Sequence, residues 1–108
     1  MEPFRTLAQV TAFSDEKMRK NSVFETERMF CDVYCFEPGQ KQAVHTHTGS
    51  DKMYFVLEGT GTFTIGDVEK DLHKDEFAIA ISGVNHGVEN RSAVRLTVLV
   101  YMAPKPTH

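Results

Sequence analysis
His45 and His47 are separated by a single threonine, and a third histidine, His86, lies further along the chain. On a β-strand, residues i and i+2 point to one face with Cα atoms roughly 6.5–7 Å apart. Two imidazoles so placed can lean onto one metal ion, each nitrogen about 2.0–2.1 Å away if the ion is zinc. A third imidazole from a facing strand would complete a small site and leave coordination positions open, as catalytic metal sites do. Three neutral imidazoles suit zinc, iron, nickel or copper, and their spacing does not choose among them. The plainer reading is an incidental histidine pair in a barrel that binds ligands by shape.

The elements that must hold these residues read as β. Residues 1–13 show no strong periodicity and form an extended lead-in. Ser14 followed by Asp15 and Glu16 predicts a short helix over Asp15–Lys20 with Asn21 as its stop, because acids suit a helix's first turn. Lys17 in place of Glu or Gln leaves the capping box incomplete. Strands are then expected over 23–26, 29–36, 43–48, 53–57, 61–65, 68–72, 77–81, 87–89 and 93–102. Pro38-Gly39, Gly66-Asp67 and Ser82-Gly83 mark turns between them. Pro104 and Pro106 forbid regular continuation, so 103–108, including His108, reads as a tail. Many short strands with glycine turns argue for an all-β sandwich or barrel. Residues 1–28 would be its lead-in, with the helix and an edge strand.

Bulk properties narrow the function classes. The chain of 108 residues fits one domain, and its net charge of -3 offers no basic patch for nucleic acid. Its start lacks the basic residues and the apolar run of about 7–15 that a signal peptide needs. No apolar stretch approaches the roughly 20 residues of a transmembrane helix, so a cytoplasmic protein without membrane or nucleic-acid partners is expected. Cys31 and Cys35 on one strand would sit about 13 Å apart, beyond the ~7 Å reach of a disulfide, and read as reduced thiols rather than a Cys-x3-Cys metal site. Asp67, Glu69 and Asp71 alternate on one strand and read as a solvated edge. Residues 53–57 and 96–101 are apolar on both faces, where a sheet with one wet face would alternate. A second sheet or a partner subunit over the outer face would account for this, so a homodimer is expected.

With Gly39, His45, His47 and Gly59 in one group and Gly83, His86 and Asn90 in a second, the chain resembles a small single-domain cupin over roughly residues 29–102. The resemblance implies a jelly-roll-like β-barrel of two antiparallel sheets with one divalent transition metal at its mouth, here zinc, iron, nickel or manganese. It implies His45, His47 and His86 as metal ligands. Three positions depart from the family pattern. Asp75 stands where the second motif opens with glycine, and Ile81 replaces its proline. Lys52 occupies the place of the family's metal-binding glutamate. An inward ammonium there would anchor an anionic substrate beside the metal; a flexible stem could instead carry the charge to solvent. Asp51 reaches the site only if the loop shifts by one residue. Tyr54 shares strand parity with Lys52 and so faces inward, as a pocket wall, a proton donor or a core aromatic. Two function classes remain. One is an enzyme acting on a small anionic, oxygen-rich substrate by oxygenase, isomerase or lyase-type chemistry. The other is a non-catalytic barrel that binds or senses a small molecule, with or without metal.

Overall fold
The computed structural model of the chain describes residues 1–106. His108 therefore lies outside the described residues. Among the described residues nine strands follow one another: β1 (Arg19–Glu25), β2 (Phe30–Phe36), β3 (Lys41–His45), β4 (Asp51–Glu58), β5 (Thr60–Ile65), β6 (Val68–His73), β7 (Phe77–Ala80), β8 (His86–Glu89) and β9 (Leu96–Ala103). They form two antiparallel sheets, ordered β1-β2-β9-β4-β7 and β3-β8-β5-β6. The expected all-β barrel of two sheets is the observed fold.

Side-chain alternation explains how the sheets close on each other. On β4, Lys52, Tyr54 and Val56 are buried while the residues between them are partly covered. Register sets Tyr54 opposite Val100 on β9 and Ala78 on β7. Tyr34, Phe36, Tyr54, Val56, Phe63, Leu96, Val98 and Val100 fill the space between the sheets. Full burial of such a side chain contributes about 1.5–3 kcal/mol, so this set contributes strongly to holding the two sheets together. The Tyr54 ring meets Phe63 edge to face at 5.3 Å, joining the two sheets.

Backbone conformation is most constrained at two of the turns. Gly59, at the end of β4, has φ +86°, and a Cβ there would lie 2.3 Å from the Arg95 carbonyl oxygen. Asp75 holds φ 72° where the family pattern has glycine; aspartate tolerates this left-handed region better than most residues.

The helix expected over Asp15–Lys20 is absent. The one helical element among the described residues is a 3-10 turn at Leu7–Val10, where the Gln9 side chain accepts from the Thr6 N–H at 2.8 Å. Ser14 spends its hydroxyl on a local turn with the Glu16 N–H, and Asn21 continues β1, its amide donating to the Ala12 carbonyl. Pairing of Arg19–Glu25 with β2 thus outweighs a local helix preference. Val10 and Phe13 pack on Val33, Cys35 and Leu99, so the chain's own lead-in covers part of the outer face that read as two-sided apolar. Cys31 and Cys35 are both free, as expected from one strand. The acids of β6 lie on an edge strand, exposed.

Candidate metal centre
The mouth of the barrel is where β3 and β8 meet. Register places His45 directly opposite His86. His47 follows two residues later on the loop that leaves β3. One candidate ligand atom from each of the three histidines lies within 4.8 Å of the others. The Nε2 atoms of His45 and His47 are 3.1 Å apart. Two nitrogens on one ion at 2.0–2.1 Å, with ordinary bond angles, are separated by roughly 2.9–3.4 Å, so the pair already has the spacing of adjacent ligands.

Hydrogen bonds set which nitrogen faces the centre. His45 Nδ1 donates to the Ala43 carbonyl at 2.8 Å, and His86 Nδ1 to the Val84 carbonyl at 3.0 Å. Each backbone oxygen takes the Nδ1 proton and leaves Nε2 as a lone pair, the arrangement usual for metal-bound histidine. His86 Nε2 is buried and has no hydrogen-bond partner among the described residues. A buried, unpaired polar atom is costly, and a metal ion is a partner that would relieve it. Burial pushes the His86 imidazolium down to about 4, against the favourable Val84 bond; the Lys52 charge pushes the same way as burial. His86 is therefore neutral at ordinary pH, as a ligand must be. The residues present fit a bound divalent ion.

The two histidine-bearing loops are tied together. The Thr46 hydroxyl donates to the Asn85 side-chain oxygen. The Gly83 N–H donates to the His47 carbonyl at 2.8 Å, and the Gly49 N–H to Ser82 Oγ at 2.7 Å. Residues 46–49 and 82–85 thus hold His47 and His86 as one unit.

Lys52 points into the barrel and is only 3% exposed. Its Nζ lies 5.2 Å from the Tyr34 ring centroid and 5.1 Å from that of Tyr54. Desolvation, then repulsion from Lys20, pushes its ammonium down to about 7; Asp32 opposes this. The snorkelling alternative does not occur. Asp51 is exposed and accepts from the Ser82 N–H at 2.9 Å, so it braces the loop and does not join the triad. The Tyr54 hydroxyl donates to Gln42 Oε1 at 2.9 Å, and Gln42 Nε2 donates to the Tyr34 hydroxyl at 3.3 Å. Burial raises both phenols well above their ordinary range, so both stay protonated. A cavity of about 280 Å³ opens over this floor, lined by Lys20, Tyr34, Gln42, His45, His47, Lys52 and Lys105 among others.

Lys20, Tyr34, Gln42, Thr46 and Asn85 were not singled out by the sequence. Strand parity signals Tyr34, which shares the face of Phe36. Gln42 has no such signal, because an irregularity between Gln42 and His45 breaks the alternation. Asn90 is fully buried and ties backbone together: its amide donates to the Phe36 and Val94 carbonyls. His73 is a surface residue beside Glu76.

Known proteins share this architecture. The family model described as a cupin domain matches residues 32–102. The tetracenomycin polyketide synthase protein TcmJ of Streptomyces glaucescens is 31% identical over 67 residues, 62% of this chain and 45% of that protein. The uncharacterized protein MJ1618 of Methanocaldococcus jannaschii is 29% identical over 70 residues, 65% of this chain and 56% of that protein. The chain thus spans about half the length of these two relatives. The crystal structure of TT1209 from Thermus thermophilus superposes with a TM-score of 0.92 at 43% identity, covering 95% of this chain and 98% of that one. KdgF from Halomonas sp. superposes with a TM-score of 0.83 at 16% identity, covering 97% and 96%, a likeness of fold alone. With two ordered histidine motifs, a two-sheet barrel and a family match through most of its length, the chain belongs to the cupin family.

Proposed function
We propose that this cupin is a metal-dependent enzyme acting on a small, anionic, oxygen-rich substrate, with His45, His47 and His86 as the metal ligands. The orphaned Nε2 of buried His86, facing the paired Nε2 atoms of His45 and His47, is the observation that carries it. A bound divalent ion such as zinc, iron, nickel or manganese would polarise a substrate oxygen as a Lewis acid. Lys52 anchors the substrate's negative charge: an anion entering the cavity favours the ammonium and restores the proton that burial disfavours. Lys20, which also lines the cavity, adds to the positive potential. Burial keeps Tyr54 protonated, the state a proton donor needs, and Gln42 holds its hydroxyl in place.

A second reading, a non-catalytic barrel that binds a small molecule, draws on one feature. Among the described residues no carboxylate joins the triad, and Lys52 stands where one would offset the metal's charge. Loss of that charge favours holding an anion over turning it over. We further propose a homodimer through the uncovered part of the outer face, and a cytoplasmic setting without nucleic-acid or membrane partners. No helix among the described residues is long and apolar enough to cross a membrane.

Calorimetric titration of Zn2+-reconstituted protein with oxalate tests the substrate class. Binding is expected in the wild type, weakened about tenfold, or ~1.4 kcal/mol, by Lys52→Met. It should be abolished by His45→Ala/His47→Ala. Equal affinity in all three proteins would contradict the proposal. Recovery of a tight-binding ligand unchanged after prolonged incubation would favour the second reading.

A further inference from the structure
Lys52 is a buried amine that only the Asp32 carboxylate, at a distance and without an ion pair among the described residues, helps to keep charged. The strands on either side bring it only apolar neighbours in register, Ala80 of β7 and Met102 of β9. The charged or titratable groups that act on it or touch it are Lys20 of β1, Asp32 and Tyr34 of β2, Tyr54 of its own strand and His86, while His45 and His47 line the same cavity. Lys20 and Lys52 approach the same Tyr34 ring, at 5.4 Å and 5.2 Å from its centroid. The cavity reaches Lys52 from outside, and Lys105, paired with Glu25, stands at its rim.

These are the conditions that turn a lysine from a charge into a nucleophile. An amine removed from water and set near a second cation loses its proton readily, and its lone pair then attacks carbonyl carbon. Burial and the Lys20 charge both act in that direction here, with the ammonium held down to about 7. Lys20 remains to attract a carboxylate, so an anionic carbonyl compound would meet a cation at the mouth and an amine beneath it.

We propose that Lys52 is a covalent site that forms an imine with a small 2-oxo carboxylate. The Nζ lone pair forms a bond to the carbonyl carbon as the carbon–oxygen π bond opens. The proton that nitrogen sheds passes to that oxygen, giving a carbinolamine. A second proton transfer from nitrogen to the hydroxyl lets the oxygen leave as water, and the carbon–nitrogen double bond closes. Neither oxidant nor reductant takes part. The step needs no metal ion; it uses Lys52 as a free amine where the metal-site reading uses the ammonium, so it belongs to the fraction of protein in which Lys52 has shed its proton and Lys20 holds the carboxylate.

Incubation with pyruvate and sodium cyanoborohydride at neutral pH, followed by peptide mass mapping, tests this. The reductant fixes any imine as a secondary amine. Lys52 is expected to be labelled more than about tenfold faster than any other lysine, with a rate that saturates in pyruvate. The label should persist after chelation and in His45→Ala/His47→Ala, and vanish from that peptide in Lys52→Arg. The map of the wild-type protein alone decides the matter should the arginine variant not fold. Labelling spread evenly over surface lysines, or a Lys52 peptide without label, would overturn the proposal.

Discussion
Lys52 shows how a single substitution in a motif changes the physics of a site. A glutamate at this place would supply one negative charge to a metal; a lysine supplies a group that the interior prefers neutral. Its folded-state value of about 7 lies below the ordinary lysine value near 10.4. Between those two values the unfolded chain binds more protons than the folded one, so stability rises with pH across that window. Denaturant unfolding from pH 6 to 10 should show this rise, on the order of 3 kcal/mol, and Lys52→Met should abolish it by stabilising the protein at the acid end. A parallel pH dependence in both proteins would mean that Lys52 keeps its ordinary titration. Thr46 and Asn85 act at the same scale, by holding His47 and His86 together. Asn85→Ala should leave the fold intact and weaken Zn2+ binding about 10–100-fold in a competition assay, the usual loss when a ligand's support is removed. The histidines were legible as a pair from their spacing, although β3 ends at His45 and the loop after it, rather than strand parity, brings in His47. Their supports were not, because a threonine and an asparagine far apart in sequence give no sign that two loops meet.

At the scale of elements, alternation made the strands readable and competition between neighbours decided the rest. Lys52, Tyr54 and Val56 face inward as their parity requires. The helix expected at Asp15–Lys20 failed because a strand pairing available only in three dimensions outweighed a local capping signal. The turn at Gly59 is the element-level feature most open to test. Its Cβ would enter the Arg95 carbonyl, so Gly59→Ala must move backbone. It should destabilise by more than ~1 kcal/mol, measured as a shift of the denaturant midpoint at constant slope. Asp75→Gly should have the opposite sign, a gain of several tenths of a kcal/mol, because glycine holds the left-handed conformation without strain. Loss of stability in both variants would show that the two turns are not limited by backbone conformation.

At the scale of the whole molecule, the outer face of the five-stranded sheet divides in two. One part lies under Val10 and Phe13. The other leaves Phe77, Ile79 and Ile81 at 59%, 62% and 59% exposure, with Tyr101 in register across Met53 from Ile79. Contiguous exposed apolar surface of this kind marks an interaction site, and a second copy is the partner expected from the sequence. Sedimentation velocity should give a dimer, converted to a folded monomer by Ile79→Lys; a wild-type monomer at every concentration would refute it. The sequence carried the two-sided apolar strands plainly, yet it did not show that the lead-in would cover part of them. Elemental analysis of untagged protein never exposed to a nickel column, alongside His45→Ala/His47→Ala, tests the three-histidine metal centre. Near one equivalent of a single transition metal is expected in the wild type and none in the variant. Metal-free wild-type protein that also refuses added Zn2+, Fe2+ and Ni2+ would contradict it.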